Sequence, residues 1–382
     1  MSKMNTDHQI DVSITYDDKI AKMEAKNIIQ YEILKDSVKR NYNIHLLTLG
    51  GLTAVQYKLL NNIDVDVHIR VLYQGHLFKE LTCKVDEINT MDNEEESYNI
   101  QLVMISRHIY DMLNSKKYVK FTGTGDNKKL ITSYELITKV IRQMSIDEGI
   151  NITGHYNNAG EIKFAHPNIT VPKTLNDISL FDYVFEHYPP YFIKPYFIID
   201  DFHKSVSGIN IFLNNLCDTN GNYPLRRTDK IKTISLKTFK YLKSKSLFDF
   251  ANFKKELGST IYLKNTNNKN VYKLQPESRS ARNDNVLNIE TQLDVKMYKK
   301  ILSFKRTLMK YNASVEYFTF DNATLTDFEF GKVYNLGNLN KNDYDMLPCS
   351  IYYKFSKGEG TDKFKLMSNV DFIKSPSNLL AS

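Results

Sequence analysis

The sequence has no tryptophan and little cysteine, glycine or proline. Its 382 residues include 3 Cys, 15 Gly and 9 Pro. So little Gly and Pro excludes a low-complexity or linker-rich chain. The three cysteines, Cys83, Cys217 and Cys349, form no CxxC pair and no Cys/His cluster with zinc-like spacing. This pattern favours reduced, buried thiols in a cytosolic product.

Long hydrophobic runs are also missing. No apolar stretch approaches the length of a membrane span. The N-terminal segment MSKMNTDHQIDVS is polar and has no apolar core of the kind found in signal peptides. The sequence therefore predicts neither a signal peptide nor a membrane-spanning segment.

The chain is rich in Tyr and Phe, and its positive charge is concentrated in one stretch. There are 25 Tyr and 21 Phe, residue types that favour strands. The net charge is +7, but the stretch 203–310 holds 22 Lys and Arg against 8 Asp and Glu, a net +14. Such a stretch, with interleaved aromatics as in KTFKYLKSKSLFDF, is used by single-strand nucleic-acid binders. Because no recognised nucleic-acid-binding fold surrounds it, a solvated basic face, or one that meets an acidic protein partner, is favoured.

The first hundred residues predict at least five strands, in a small antiparallel barrel or sandwich. The segment IDVDVHIRVLY alternates apolar residues from Ile63 to Val71 with polar ones from Asp64 to Arg70, the pattern of a half-buried strand. IDVSITYDD, HLFKELTCKVDEI and SYNIQLVMI continue it. The acidic stretch NTMDNEEES is predicted to be a loop that joins the last two strands as a hairpin-like connection.

The middle of the chain predicts helices followed by an aromatic strand. A short helix is expected around Ile109, and a longer one from an N-cap at Ser133 to a C-terminal cap at Gly149. A third helix follows Asp177 and stops at Pro189 and Pro190. YFIKPYFIIDDF then predicts a buried strand.

The last 180 residues predict mixed elements and then strands. STIYLK and NVYKLQ form a hairpin about the turn NTNNKN, and DVKMYKKILSFKRTLMK has a helical apolar stripe. KTISLKTFKYLKSKS fits either a strand or an amphipathic segment. From Ala313 four strands follow, in SVEYFTFDN, FGKVYNLGN, PCSIYYKFS and FKLMSNVDFI.

The paired carboxylates Asp200 and Asp201 are the most enzyme-like feature. Neighbouring strand residues point to opposite faces, so the two could share one metal only if the strand has ended. No HxxE, HExxH or DxD pattern accompanies them, and they are interpreted mainly as strand-end carboxylates. TGTGDNKK, from Thr122, lacks the full spacing of a phosphate-binding loop and is interpreted as a turn. GxSxG is absent.

Several segments together resemble the baseplate central hub proteins of contractile-tailed phages, the T-even-type tail hub family. These are IDVDVHIRVLYQGHLFKELTCKVDEINTM…YNIQLVMIS, VPKTLNDISLFDYVFEHYPPYFIKPYFIIDDF, TLTDFEFGKVYNLGN and CSIYYKFSKGEGTDKFKLMSNVDFI. They lie in the same order as in the family, from about residue 10 to 375. The basic middle region matches least.

The resemblance implies a mixed, β-rich α+β fold with two similar small antiparallel β-barrels of tail-hub or tube type and inserted α+β domains. The first implied domain is a hub barrel at 1–112, and the second is an inserted helix and aromatic-strand domain at 113–202. A basic mixed region at 203–302 includes part of the second barrel and a further insertion. The remainder of the second barrel and the C-terminal tail occupy 303–382.

The implied function is structural. The resemblance implies a trimeric ring with pseudo-sixfold symmetry in the virion, assembled in the host cytoplasm, that joins the hexameric tail tube to the trimeric central spike. The implied partners are two further copies, the tube protein, the spike protein and other baseplate proteins, with DNA passing through the lumen without specific binding. No enzyme activity, catalytic residue, cofactor or metal is expected. Two alternatives stay open: a nucleic-acid-binding protein using 203–310, and a carboxylate-dependent hydrolase using Asp200 and Asp201.

Overall fold

The computed structural model describes most of the barrel-forming segments and part of the middle of the chain. The described residues are 8–17, 19–36, 40, 42–62, 64–94, 97–114, 142, 145–146, 149, 151–157, 196–202, 208–214, 232–233, 239–246, 249–266, 268–276, 285–291, 295–311, 314–320, 325, 328–330, 334–339, 342–358 and 360–374.

The N-terminal elements are strands with two short helices and one 3₁₀ turn at Ala25–Asn27. The strands are β1 (His8–Tyr16), β2 (Lys19–Lys22), β3 (Ile28–Asp36), β4 (Asn43–Leu52), β5 (Asp66–Tyr73), β6 (His76–Glu94) and β7 (Ser97–Ser106). The helices are α1 (Ala54–Leu60) and α2 (Arg107–Asn114). The predicted strands and the short helix at Ile109 are confirmed, whereas α1 was not predicted.

The later elements are mixed. The strands are β8 (Ile152–Asn157), β9 (Tyr196–Asp200), β10 (Ile209–Asn214), β11 (Lys232–Thr233), β12 (Phe239–Ser246), β13 (Thr260–Asn265), β14 (Val271–Leu274), β15 (Val286–Thr291), β16 (Ser314–Phe320), β17 (Tyr334–Leu339), β18 (Asn342–Lys357) and β19 (Phe364–Lys374). The helices are α3 (Phe250–Leu257) and α4 (Val295–Tyr311). The structure is thus β-rich with few helices among the described residues, as predicted.

Eight antiparallel strands close into a circuit. Their order is β3, β4, β7, β6, β5, β1, β19 and β18, and β18 pairs back to β3. The alternation predicted from the sequence sets the inside, since Val67, Ile69 and Val71 of β5 are at most 1% exposed. The closing contact between β1 and β19 is one residue pair, His8 with Phe364.

The long C-terminal hairpin β18–β19 belongs to two sheet regions. On one side, Ser350–Ser356 of β18 pairs with β3 and completes the circuit. Towards the other end, Met346 pairs with Tyr334 of β17, and Ser368–Ile373 of β19 pairs with β16. A six-stranded run therefore continues through β11, β17, β18, β19, β16 and β12. It stays a prediction that this run belongs to a second barrel, and the division of the chain into four domains also stays a prediction.

The hairpin-like connection predicted at NTMDNEEES is confirmed, but its strands extend further than predicted. β6 continues to Glu94, which pairs with Ser97 at the start of β7. The pairing persists because bulges between Val85 and Glu87 and between Thr90 and Asp92 absorb the register shifts. The result is a long hairpin rather than a short turn.

A small α+β unit is inserted between β12 and β16, which pair with each other. It consists of α3, the three-stranded sheet β14–β13–β15 and α4. The predicted hairpin β13–β14 and helix α4 are confirmed, and KTISLKTFKYLKSKS contributes two strands, β11 and β12. The strand β15, parallel to β13, was not predicted.

The aromatic strand predicted before Asp200 is confirmed as β9, which joins a sheet of order β8–β10–β9. The predicted helices from Ser133 and from Asp177 lie outside the described residues, as does the turn at Thr122. Gly149, the predicted C-terminal cap, has φ +62°. In the part of the chain that the structure describes, no helix has the length and apolarity needed to cross a membrane.

Candidate functional site

Asp200 and Asp201 lie at the end of β9 and are buried, at 1% and 2% exposure. They were interpreted as strand-end carboxylates, and this is confirmed. β9 ends at Asp200, so the alternation of a strand no longer applies to Asp201. Asn43 Nδ2 consequently donates to Asp200 Oδ1 at 2.7 Å and to Asp201 Oδ1 at 2.6 Å.

Lys35 of β3 is the direct partner of Asp200. Its Nζ lies 3.0 Å from Asp200 Oδ2 and donates to the Phe202 carbonyl oxygen at 2.5 Å. The Phe202 N–H donates back to Asp200 Oδ1 at 3.0 Å. Since both Lys35 and Asp200 are excluded from water, each compensates a charge that would otherwise be buried alone.

His45 of β4 is the partner of Asp201. Its Nε2 lies 3.1 Å from Asp201 Oδ2, and its Nδ1 lies 2.8 Å from the Tyr31 hydroxyl. Burial acts to raise the pKa of Asp201, but the charge of His45 and hydrogen bonds from His45 and Asn43 outweigh it and hold that pKa well below its ordinary value. Asp201 is therefore a carboxylate in the folded protein.

Lys79 of β6 adds a second buried ammonium, at 1% exposure. Burial lowers its pKa, while the charges of Asp201 and Asp200 act in the opposite direction. Two buried lysines thus interact electrostatically with two buried aspartates. The positive charges of Lys35 and Lys79 offset the two carboxylate charges, which favours holding these ions in a low-dielectric interior.

Phe202 follows the two aspartates into the core, at 3% exposure. Its ring centroid lies 5.8 Å from that of Phe78, 6.4 Å from Tyr353 and 6.5 Å from His45. The Lys35 ammonium lies 5.5 Å from the Phe202 centroid. Asp200, Asp201 and Phe202, defined here as the plug segment, therefore join the β9 sheet to the inside of the barrel.

The plug segment enters one end of the barrel. Lys35 is next to last in β3, Asn43 begins β4, and Lys79 lies near the start of β6. These positions all lie at the same end of the strand circuit. Asp200 and Asp201 are buried, so a substrate would not reach them in this conformation. Their burial therefore argues against the hydrolase hypothesis. Among the described residues, no group of three or more His, Cys, Asp or Glu is placed to hold a metal ion.

The partners of the plug segment were missed in the sequence although a signal exists. Lys35 continues the inward series Tyr31 and Ile33 with period two, and His45 belongs to the inward series that runs on to Leu47. A lysine or histidine on the inward face of a strand requires a buried counter-charge. Which carboxylate supplies it, 165 residues away in the case of Lys35, cannot be read from a local pattern.

No protein-family model and no curated protein sequence matches this chain. Solved structures do. The 43 kDa tail protein of prophage MuSo2 from Shewanella oneidensis matches with a TM-score of 0.52 and 9% identity, over 96% of this chain and 98% of that one. The tail protein from Neisseria meningitidis MC58 matches with a TM-score of 0.53 and 9% identity, over 96% and 97% of the two chains.

The chain has the fold of phage tail proteins. Both matches extend over almost the whole of each chain. The resemblance seen in the sequence, to a phage baseplate hub, is thereby confirmed at the level of fold. At 9% sequence identity, these matches show a shared fold but do not show that particular residues have the same role in the two proteins.

Proposed function

We propose that this protein is a structural subunit of a phage tail baseplate, acting as the central hub. The observation that carries the proposal is the fold shared with two phage tail proteins over 96% of the chain. The most enzyme-like residues, Asp200 and Asp201, form internal ion pairs with Lys35 and His45, and this arrangement supports a structural role. The protein belongs in the virion and assembles in the host cytoplasm.

The hub is a homotrimeric ring. Pseudo-sixfold symmetry requires two similar barrels in each chain, and one closed circuit plus a six-stranded run joined by the β18–β19 hairpin supports such a layout. Three chains then present six similar surfaces to a hexameric tube on one side and threefold symmetry to a trimeric spike on the other. The partners are the tail tube protein, the central spike protein and other baseplate proteins, and DNA passes through the lumen without specific binding.

Light scattering on the purified chain tests the oligomer. We expect a mass of three times 44.5 kDa at micromolar concentration, and co-purification with the tube and spike proteins of the same particle. Negative-stain images of the trimer are expected to show a ring with six similar lobes. A chain that stays monomeric and binds neither protein contradicts the proposal.

Nucleic-acid binding is the second candidate, favoured by one observation. The three lysines of β12, Lys240, Lys243 and Lys245, are all exposed along one strand. Binding through phosphate contacts must weaken steeply as salt rises. A titration of single-stranded DNA at two salt concentrations, with Lys240, Lys243 and Lys245 replaced by Gln as the control variant, distinguishes it from a solvated basic face.

A further inference from the structure

Strand β12 is the edge of the long sheet. It pairs with β16 on one side, and none of the other described strands pairs with it on the opposite side. Residues 240–245 are exposed without interruption. The backbone N–H and C=O groups along this side therefore have no partner strand in the part of the chain that the structure describes. An edge of this kind is a template for the addition of one more strand.

A β-bulge places three lysines of β12 on the same face of the sheet. They pair with alternate residues of β16: Lys240 with Thr319, Lys243 with Tyr317 and Lys245 with Val315. Alternate residues of a strand share a face, so the three lysines form one row. The register shift between Tyr241 and Lys243 makes this possible, because without it Lys240 and Lys243 would lie on opposite faces. The Lys243 ammonium accordingly lies 5.1 Å from the centroid of the Tyr317 ring.

The edge also leaves apolar surface open to solvent. Tyr241 pairs with the buried Phe318, on the face opposite to the lysine row, and their ring centroids lie 5.5 Å apart. Tyr241 nevertheless stays 44% exposed, and Leu242, which the bulge leaves out of the pairing, is 50% exposed. The lysines protect the edge against pairing with a second β12, because like charges would then lie side by side. They do not protect it against an acidic strand.

We infer that β12 binds an extended segment of a partner protein by strand addition, and that acidic and apolar residues alternate along this segment. Residues that face the same way in neighbouring strands lie side by side, so alternate carboxylates of the added strand meet the lysine row. The apolar residues between them then lie on the face of Tyr241. The inference goes beyond the proposed hub, since it names a docking edge and the chemistry of its partner and does not require a ring.

A strand uses more of this edge than a nucleic acid does. A phosphate backbone would contact the lysine row. It would not pair with the backbone groups of β12, and it would leave Tyr241 and Leu242 uncovered. Strand addition engages all three features, because main-chain hydrogen bonds supply affinity while the alternating side chains supply specificity.

Fluorescence anisotropy with a synthetic peptide tests the docking edge. The probe is a labelled, amidated Glu-Val-Glu-Val-Glu-Val-Glu peptide, added to the full chain at low salt. We expect binding that weakens as salt rises. Replacing Lys240, Lys243 and Lys245 by Gln is expected to raise the dissociation constant by about 10-fold or more. The matched control, Lys254→Gln with Lys255→Gln, removes two exposed lysines of α3 and is expected to leave binding unchanged.

Two backbone-methylated peptides separate strand addition from simple charge attraction. One is N-methylated at every Val and the other at every Glu, so both keep the charge of the probe. Only alternate N–H groups of an added strand face β12. One of the two peptides should therefore lose binding while the other retains it. Equal affinities of the two peptides, whether high or low, would contradict strand addition.

Single-stranded oligodeoxythymidine is the competing ligand. If it binds and the peptide does not, the lysine row contacts nucleic acid and the inference is wrong. If neither binds, the lysines form a solvated face, and the inference is wrong while the proposed hub stands. If the peptide binds a chain that light scattering shows to be a monomer at every concentration, the strand addition stands and the proposed ring is wrong. Circular dichroism checks that each variant is folded.

Discussion

Lys35 Nζ donates to Asp200 Oδ2 at 3.0 Å, across 165 residues of sequence. The contact joins strand β3 of the barrel to the end of β9, a strand in a different sheet. Both side chains are buried, so solvent cannot compensate the charge of one partner when the other is removed. This ion pair therefore couples the stability of the barrel end to the position of β9, together with the contacts of Asn43 and His45 described above.

Replacing Asp200 by Asn is expected to lower the free energy of unfolding by about 3–5 kcal/mol, because Lys35 then stays buried without its counter-charge. Urea denaturation measures the change. Lys35→Met added to Asp200→Asn is expected to recover part of the loss. The control is Lys264→Ala, which breaks a half-exposed pair with Glu290 and is expected to cost roughly 0–1 kcal/mol. Equal losses in the two single variants would contradict the coupling.

Replacing Asp201 by Asn is expected to change how stability depends on pH. The folded pKa of Asp201 is held below its ordinary value of 3.8, so its contribution is fully present above that value and is lost as the pH falls. The difference in unfolding free energy between wild type and variant should shrink between about pH 5 and pH 2. Asp362→Asn, at a side chain that is 72% exposed, should differ from wild type by about 0.5 kcal/mol or less throughout.

Replacing Phe202 by Ala is expected to cost about 3–5 kcal/mol, because it empties the space among Phe78, Tyr353 and His45. Thermal unfolding measures the loss. Ile20→Ala serves as the control, since that side chain is 70% exposed and its loss should change stability by about 0.5 kcal/mol or less. A Phe202→Ala protein as stable as the control would show that the plug segment does not support the barrel.

Replacing Gly208 by Ala is expected to loosen β10 from β8. Gly208 has φ +112°, and an added Cβ would lie 2.6 Å from the Asn151 carbonyl oxygen. Gly75→Ala is the matched control: its φ is +79°, and an added Cβ would meet nothing within 4 Å. The control should lose about 1 kcal/mol of stability, which is the cost of placing a Cβ in the left-handed conformation. Gly208→Ala should lose clearly more, because the clash adds to that cost. Amide exchange of β10 residues measures local opening, and equal protection in both variants would contradict the expectation.

Local patterns predicted much of the fold. The alternation from Ile63 to Val71 gave β5, and the turn NTNNKN gave the β13–β14 hairpin, since both depend only on neighbouring residues. Helix α1 could also have been predicted, because Thr53 and Gln56 form a capping box that is visible in the sequence. β15 was missed because its parallel pairing with β13 leaves no turn signal between them.

Long-range relations could not be predicted in this way. The pairing of His8 with Phe364 joins the two ends of the described chain, and no local period encodes it. The cluster around Asp200 has the same limitation: the sequence offers buried charges at Lys35, His45 and Lys79 but not the identity of their partners. The length of β6 was missed for a different, local reason: the bulges interrupt the apolar–polar alternation beyond Val85.

The shared hairpin β18–β19 also dictates when the barrel can form. During synthesis β3 is complete long before residues 350–356, which pair with its edge, leave the ribosome. Until then that edge offers unpaired backbone groups to neighbouring chains, and contacts of this sequence separation form slowly. Closure of the barrel is therefore one of the last steps in folding this chain during synthesis.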